Sequence, residues 1–358
     1  MILGVKGALR IWAHRRVRRA WQRRGPVACL LYPLHLLHRF GRLLRAAAYG
    51  LGAAQGVRLA VPVVVVGNLR VGGTGKTPLV IEIVRALRAR GWSPGVISRG
   101  FGGRSQQASL VNPTSDPAEC GDEPLLIRHL AGCPVAVGRD RAAAAQLLLS
   151  MHSGCNVLVS DDGLQHRRLG RDLEIALLDS TGVGNGWLLP AGPLRDPPER
   201  LRQVDAVVLH GRVPPVRIYS PFYRMQTGIE EATCIATPSR QMALADMANE
   251  QRAGHLRMLA LCAIGSPERF FSQLRELGLR FDAVALPDHD PITATMLARG
   301  RYDRVLMTEK DAVKCHGDAS LGHDERIWVV PLRTTLDASL VEFIAQRLGR
   351  ATNGSKAA

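Results

Sequence analysis

No acidic residue occurs before Glu82. Fourteen lysines and arginines precede it, from Lys6 to Lys76, while the rest of the chain carries 33 basic against 31 acidic residues. The net charge of +16 therefore belongs to one end of the molecule. A localised excess of this kind points to an anionic surface met by the N-terminus. Aromatics are few, at 5%, and only Trp12 and Trp21 interrupt the basic arm. Stacking platforms for single-stranded nucleic acid are absent, and no nucleic-acid partner is expected despite a pI near 10.4. The seven cysteines (Cys29, Cys120, Cys133, Cys155, Cys234, Cys262 and Cys315) are scattered and never form a Cys-x-x-Cys pair. That pattern argues against a disulfide framework and a structural zinc site, and favours a reducing compartment. Long apolar runs are also lacking. Val27–Leu37 is interrupted by Pro33 and His35 and followed by His38, Arg39, Arg42 and Arg45, so it is too short and too polar to span a bilayer.

What is present suits two domains of ordinary size within 358 residues, and 46% hydrophobic content suits an aliphatic α/β core. Residues 1–55 read as a basic arm and an amphipathic helix. Leu34, Leu37, Phe40, Leu44, Ala48 and Leu51 share one side, and His35, His38, Arg42 and Arg45 share another. Such a helix can lie in the headgroup plane. Each basic residue near an anionic leaflet contributes about 1 kcal/mol, so part of this set gives roughly 5 kcal/mol of attraction. With no acidic residue nearby in sequence, the arginines are expected to face the membrane.

Residues 56–215 read as the first lobe. The valine run Val61–Val66 is a buried parallel strand, followed by a glycine-rich turn, a helix from about Pro78 to Arg90 and a strand at Gly95–Ser98, which together make a βαβ unit. Further strands are expected at Val135–Val137, Asn156–Ser160, Glu174–Leu178 and Ala206–Leu209, giving a doubly wound parallel sheet with its ligand site at the strands' C-terminal ends. Residues 216–250 read as an extended linker hairpin, 251–350 as a second, smaller α/β lobe closing with a helix at Ala338–Leu348, and 351–358 as a frayed tail.

The central motif is Arg70-Val71-Gly72-Gly73-Thr74-Gly75-Lys76-Thr77. It lacks the first glycine of a standard P-loop but keeps Gly75-Lys76-Thr77 between a valine strand and a helix. Backbone N–H groups there cradle phosphates, Lys76 reaches the β/γ-phosphates and the Thr77 hydroxyl holds Mg²⁺. A plain strand–helix turn would not need Lys-Thr at this point. The metal's carboxylate partner is expected from Asp161-Asp162, at the end of an apolar strand, although Asp-Asp-Gly is also a common turn. Gln165 and His166 either orient phosphate or substrate oxygens or cap that turn. Asp122, opening a helix after Gly121, reads equally well as an N-cap, and His289 reads as a loop histidine. A GTPase is disfavoured, because guanine recognition requires [NT]-K-x-D and Lys310 and Asp311 are adjacent.

These stretches, taken in order, resemble the tetraacyldisaccharide 4'-kinase family of lipid A biosynthesis. The matching residues are Gly67-Asn68, Val71–Pro78, Ser98–Gly102, Gly121–Pro124, Asp140-Arg141, Asp161–His166, Pro190–Arg195, Pro287–His289 and Thr308–Lys314. The resemblance implies a P-loop NTPase-like fold of two α/β/α lobes with a membrane-associated N-terminal helix. It also implies transfer of phosphate from ATP, with Mg²⁺, to the 4'-hydroxyl of an acylated glucosamine disaccharide 1-phosphate. The product would be lipid IVA and the place of action the cytoplasmic face of the bacterial inner membrane. Separately from the resemblance, a monomer is expected. Carried over by position, Asp122 is the catalytic aspartate and His289 its partner. Asp161 and Asp162 are the metal pair. Arg141 and Arg195 stabilise the transferring phosphoryl group, and Glu123, Gln165, His166 and Asp196 support the site. Asp196 stands where the family usually has glutamate, Asp290 where it commonly has histidine, and Phe101 where it usually has tyrosine. None of these departures touches Lys76, Thr77, Asp122 or Asp161.

Overall fold

The structure, a computed structural model, describes residues 21–51, 56–254, 256–298, 300–315 and 318–355. The expected basic arm from Lys6 to Arg19 lies outside the described residues.

Valine-rich segments that are apolar at every position can be buried only where a sheet is covered on both faces. The first sheet is built that way. Its strands are β1 (Val63–Gly67), β2 (Pro94–Ser98), β3 (Ser109–Val111), β4 (Val135–Val137), β5 (Val157–Ser160), β6 (Leu173–Leu178), β7 (Ala206–His210) and β8 (Phe222–Gly228). A ninth strand, β15 (Arg333–Leu336), joins from far along the chain, and the order is β15-β8-β7-β6-β1-β5-β2-β4-β3. Pairing is parallel from β8 through β4, with antiparallel strands only at the two edges. Along β1, Val64 and Val66 enter one core cluster and Val63 and Val65 the other. Each fully buried valine of this kind contributes about 1.5 kcal/mol or more. Helices Lys76–Arg88, Asp122–Ala131 and Ala338–Ser355 cover the first face, and helix Arg141–Met151 covers the second. Beyond β1 the chain steps to β2 on one side and later to β6 and β7 on the other, so the turn after β1 lies at the topological switch point.

The second sheet contains β9 (Glu231–Cys234), β10 (Gln241–Ala243), β11 (Met258–Cys262), β12 (Asp282–Ala285), β13 (Arg304–Thr308) and β14 (Ile327–Val330), in the order β10-β9-β14-β13-β11-β12. Helix Glu309–Cys315 follows β13 and packs against helix Asp122–Ala131 of the first lobe, with Val313 entering the first lobe's core.

Three expectations are corrected. The extended segments around Gly228 do not pair with each other: β8 joins the first sheet and β9 the second. Strand pattern records which residues are buried but not which sheet buries them. The closing helix does not belong to the second lobe. It begins at Ala338, runs to Ser355, well past Leu348, and buries Leu340, Ile344 and Leu348 in the first lobe's core. Residues 351–355 of the expected tail are therefore helical, and 356–358 lie outside the described residues. The second lobe is thus an insertion between β8 and β15, which are paired neighbours.

The amphipathic helix is present as Tyr32–Gly50 after a short helix at Pro26–Leu30. The expectation that its arginines face a membrane is corrected for Arg42. The polar side docks on the first lobe: Leu188 N–H donates to His35 Nδ1 (2.8 Å), His38 Nδ1 donates to the Leu189 carbonyl (2.9 Å), and Arg42 binds the Arg195 carbonyl (2.7 Å) and the Asp196 carboxylate. Leu34, Leu37, Phe40, Leu43, Leu44 and Leu51 are left exposed. Arg42 does have an acidic partner, supplied by a residue more than 150 positions away. Among the described residues, no helix is long and apolar enough to cross a membrane.

Candidate active site

The turn after β1 must curl tightly enough to aim several N–H groups at one point, and glycine makes this possible. Gly72 and Gly75 adopt φ of 113° and 98°, in the region that side chains rarely enter. Gly75 caps helix Lys76–Arg88, so the positive end of the helix dipole faces the turn. Inside the turn the Asn68 amide donates to Thr74 Oγ1 at 2.8 Å. His210, at the end of β7, lies beneath it with Nδ1 2.8 Å from the Thr74 carbonyl.

At the end of β5 sit Asp161 and Asp162. The Asp161 carboxylate accepts from Ser98 Oγ (3.1 Å) through one oxygen, while its Oδ1 is buried without a hydrogen-bond partner. Burial, with Glu123 and Asp162 nearby, pushes its pKa up to about 7. Asp162 behaves differently. Burial works against its charge, but Lys76 (3.6 Å) and Arg195 (2.7 Å) outweigh it and hold the carboxyl below its ordinary range. Asp162 Oδ1 is also buried and accepts no hydrogen bond. Arg141, 5% exposed, clamps the backbone here, donating to the Asp161 (3.0 Å) and Asp162 (2.6 Å) carbonyls. Two buried carboxylate oxygens without hydrogen bonds, one of them 3.6 Å from Lys76 Nζ, fit a hard cation such as Mg²⁺. No group of three His, Cys, Asp or Glu side chains converges among the described residues. Mg²⁺ does not need one, because it is typically held by one or two carboxylates plus phosphate oxygens.

Elsewhere on the first lobe, Gly121 (φ 89°) occupies the N-cap of helix Asp122–Ala131. Asp122 makes no capping bond, and its carboxylate instead reaches the second lobe. Oδ2 lies 3.1 Å from His289 Nδ1 and 3.4 Å from Lys314 Nζ. Burial pushes this carboxyl up, but the His289 hydrogen bond, Lys314 and Lys310 overcome that and hold it ionised below its ordinary value. Lys314 is anchored by Asp311, itself fully buried, at 3.1 Å. Lys310 bridges Glu123 (3.0 Å) and Asp288 (3.2 Å). The Phe101 ring meets His289 edge-on at 5.4 Å. Among the described residues only Asp162 (φ 50°) and His289 (φ 69°) are non-glycine residues with left-handed backbone, and both lie in this site. Strain of this kind persists where surroundings enforce it, commonly at functional sites.

The profile of the tetraacyldisaccharide-1-P 4'-kinase family matches residues 27–349. The chain belongs to that family. It is 48% identical over 330 residues to a tetraacyldisaccharide 4'-kinase of Janthinobacterium sp. (strain Marseille), spanning 92% of this chain and 94% of the relative. It is 46% identical over 339 residues to one of Herminiimonas arsenicoxydans, at the same coverage. The solved structure of LpxK from Aquifex aeolicus in complex with ATP superposes with a TM-score of 0.74 at 28% identity, covering 90% of this chain and 99% of that one. Membership makes the chain an ATP-dependent tetraacyldisaccharide 4'-kinase of lipid A biosynthesis.

Within this family framework the structure brings most of the expected residues together. Arg195 binds Asp162 and approaches Gln165 Oε1 (3.4 Å), and Gln165 in turn donates to the Asn68 carbonyl (3.0 Å) and Asp196 (2.5 Å). Asp196, 3% exposed, is consumed by Gln165 and Arg42. It braces the docked helix. His166 turns toward Asp140 at 3.9 Å, and burial followed by Arg141 lowers its pKa to about 4, so it is neutral. Four residues escaped the sequence reading: Arg42, His210, Lys310 and Lys314. His210 left one trace, a polar residue ending an apolar strand. The two lysines lie in the family-matching stretch Thr308–Lys314, where nothing local singles them out. A cavity of about 270 Å³ lined by Tyr49, Arg167, Arg171, Glu174, Arg200 and Gln203 contains none of these site residues.

Proposed function

We propose that the phosphate loop, the Asp161–Asp162 pair and the Asp122–His289 pair act together in transferring the γ-phosphate of ATP to the 4'-hydroxyl of a tetraacyl glucosamine disaccharide 1-phosphate, giving lipid IVA. The observation that carries this reading is Asp122: a buried carboxylate kept ionised by a histidine and a lysine of the opposite lobe. Phosphoryl transfer through a loose transition state requires positioning and charge stabilisation more than a strong base. Asp122 accepts the hydroxyl proton as the new P–O bond forms and the bond to the β-phosphate breaks. His289 orients the carboxylate, and Lys314 keeps it charged until the proton arrives.

Residues Arg70–Thr77 hold the triphosphate through backbone N–H groups, and Lys76 supports the phosphate charge. Thr77, Asp161 and Asp162 would hold Mg²⁺, which when bound neutralises charge on the phosphates. Arg141 fixes the backbone that carries the two aspartates, and Arg195 fixes the Asp162 side chain. The exposed leucine row of helix Tyr32–Gly50 supports peripheral attachment to a membrane surface, with the apolar side toward the acyl region and the polar side clipped to the enzyme. In this reading the enzyme works at the cytoplasmic face of the inner membrane.

The test is incubation with γ-labelled ATP and the acylated disaccharide monophosphate in mixed micelles. Label moving to the lipid supports the assignment. A purified, folded protein that binds ATP but moves no label would overturn it.

A further inference from the structure

His210 is not among the residues of the transfer chemistry, yet it touches the phosphate loop and the second lobe at once. It ends β7, is 3% exposed, and lies so close under the loop that a Cβ on Gly75 would fall 2.7 Å from Nδ1. A backbone carbonyl can only accept, so the 2.8 Å contact between Nδ1 and the Thr74 carbonyl requires the proton on Nδ1. Nε2 is then the acceptor. It faces Thr227 Oγ1 at 2.9 Å and Arg269 Nη2 at 2.8 Å, and Arg269 also donates to Thr227 Oγ1 at 2.7 Å. Burial lowers the pKa of His210, which agrees with a neutral ring.

The position of these partners gives the contact its meaning. Thr227 is the penultimate residue of β8, just before the chain leaves the first sheet for the second. Arg269 lies on helix Pro267–Glu276 of the second lobe, and Gln273, one turn further along, reaches the Thr227 carbonyl at 3.5 Å. The Thr74 carbonyl belongs to the peptide that leads into Gly75, the residue that caps the phosphate-loop helix. Movement of helix Pro267–Glu276 away from His210 breaks the chain of contacts from Arg269 through His210 to Thr74.

We propose that His210 is a positioning residue that couples the second lobe to the phosphate loop, so that the loop reaches its transfer geometry only when Arg269 is docked on the imidazole. This inference rests on the kinase reading above for its effect on turnover, but the coupling itself can be measured without lipid.

His210→Asn separates the two halves of the contact. The asparagine Nδ2 replaces Nδ1 and can still donate to the Thr74 carbonyl, but nothing replaces Nε2. Arg269→Met removes the same link from the other side. Each variant is expected to bind ATP within about threefold of wild type while kcat falls about 10- to 30-fold, as for loss of a charge-assisted hydrogen bond. The double variant is expected to fall no further than either single one. His210→Ala, which also removes the loop contact, is expected to weaken ATP binding as well. In hydrogen exchange without lipid, ATP is expected to protect the amides of helix Pro267–Glu276 in the wild type and not in His210→Asn. The inference is overturned if the single variants keep kcat within twofold of wild type. It is also overturned if their effects on kcat simply add, or if ATP protects that helix equally in His210→Asn. A wild-type enzyme that shows the protection but moves no label to lipid would refute the kinase reading and leave the coupling standing.

Discussion

Replacing Asp161 by asparagine is expected to make the nucleotide-free protein more stable at pH 8 while abolishing its activity. Burial, Glu123 and Asp162 raise the Asp161 pKa from its ordinary 3.8 to about 7. Because the folded-state value exceeds the unfolded one, the folded state binds the proton more tightly. The stability this contributes is fully present below about pH 4 and is lost as the pH rises through about 7. At about 1.4 kcal/mol per pH unit, an ionised Asp161 costs the folded protein on the order of 4 kcal/mol at pH 8. Asparagine has the shape of the protonated side chain and can still accept from Ser98 Oγ, so it should recover much of that loss. Calorimetric melts in EDTA, at pH 5 and pH 8, check the idea. The variant should already melt somewhat higher than wild type at pH 5, and its advantage should grow to several degrees at pH 8. Mg²⁺ with ATP should raise the wild-type melting temperature at pH 8 far more than that of the variant. A variant destabilised equally at both pH values would refute the argument, since Asp161 would then be an ordinary buried group whose charge costs nothing.

Asp122→Asn preserves the side-chain shape and removes the proton acceptor; kcat should fall by about 10²- to 10⁴-fold with ATP affinity little changed, measured by label transfer and by equilibrium binding. Gly75→Ala places a methyl against His210 at a φ of 98°, and should destabilise the protein by about 1–3 kcal/mol in urea titration and weaken ATP binding in the same variant.

The parts of the site carried by local sequence are legible in the sequence itself. Gly75-Lys76-Thr77 after a valine strand specifies a phosphate loop, because strand, curl and helix are all encoded within some fifteen residues. Asp161 and Asp162 were legible because they end an apolar strand. The pairing of Asp122 with His289 is different. It spans 167 positions, and only family resemblance, not spacing, brought the two together. The basic face of helix Tyr32–Gly50 was misjudged for a related reason. Periodicity separates a polar side from an apolar one, but both a headgroup layer and a protein surface can receive the polar side. Asp196 and the carbonyls near Leu189 decide between them, and they lie too far along the chain to be seen. The same limit hid the two-sheet crossing at Gly228, since β8 and β9 have strand character whichever neighbours they find.

The placement of the second lobe between β8 and β15 bears on how the molecule is made. A chain emerging in order from the ribosome presents β1 before the second lobe, but leaves the first sheet without an edge strand and without the helix that packs on Lys76–Arg88 until more than a hundred further residues have been synthesised. Residues 333–355 therefore complete a domain begun before the second lobe. A truncation near the C-terminus would damage the ATP side of the enzyme and spare the lobe that precedes it.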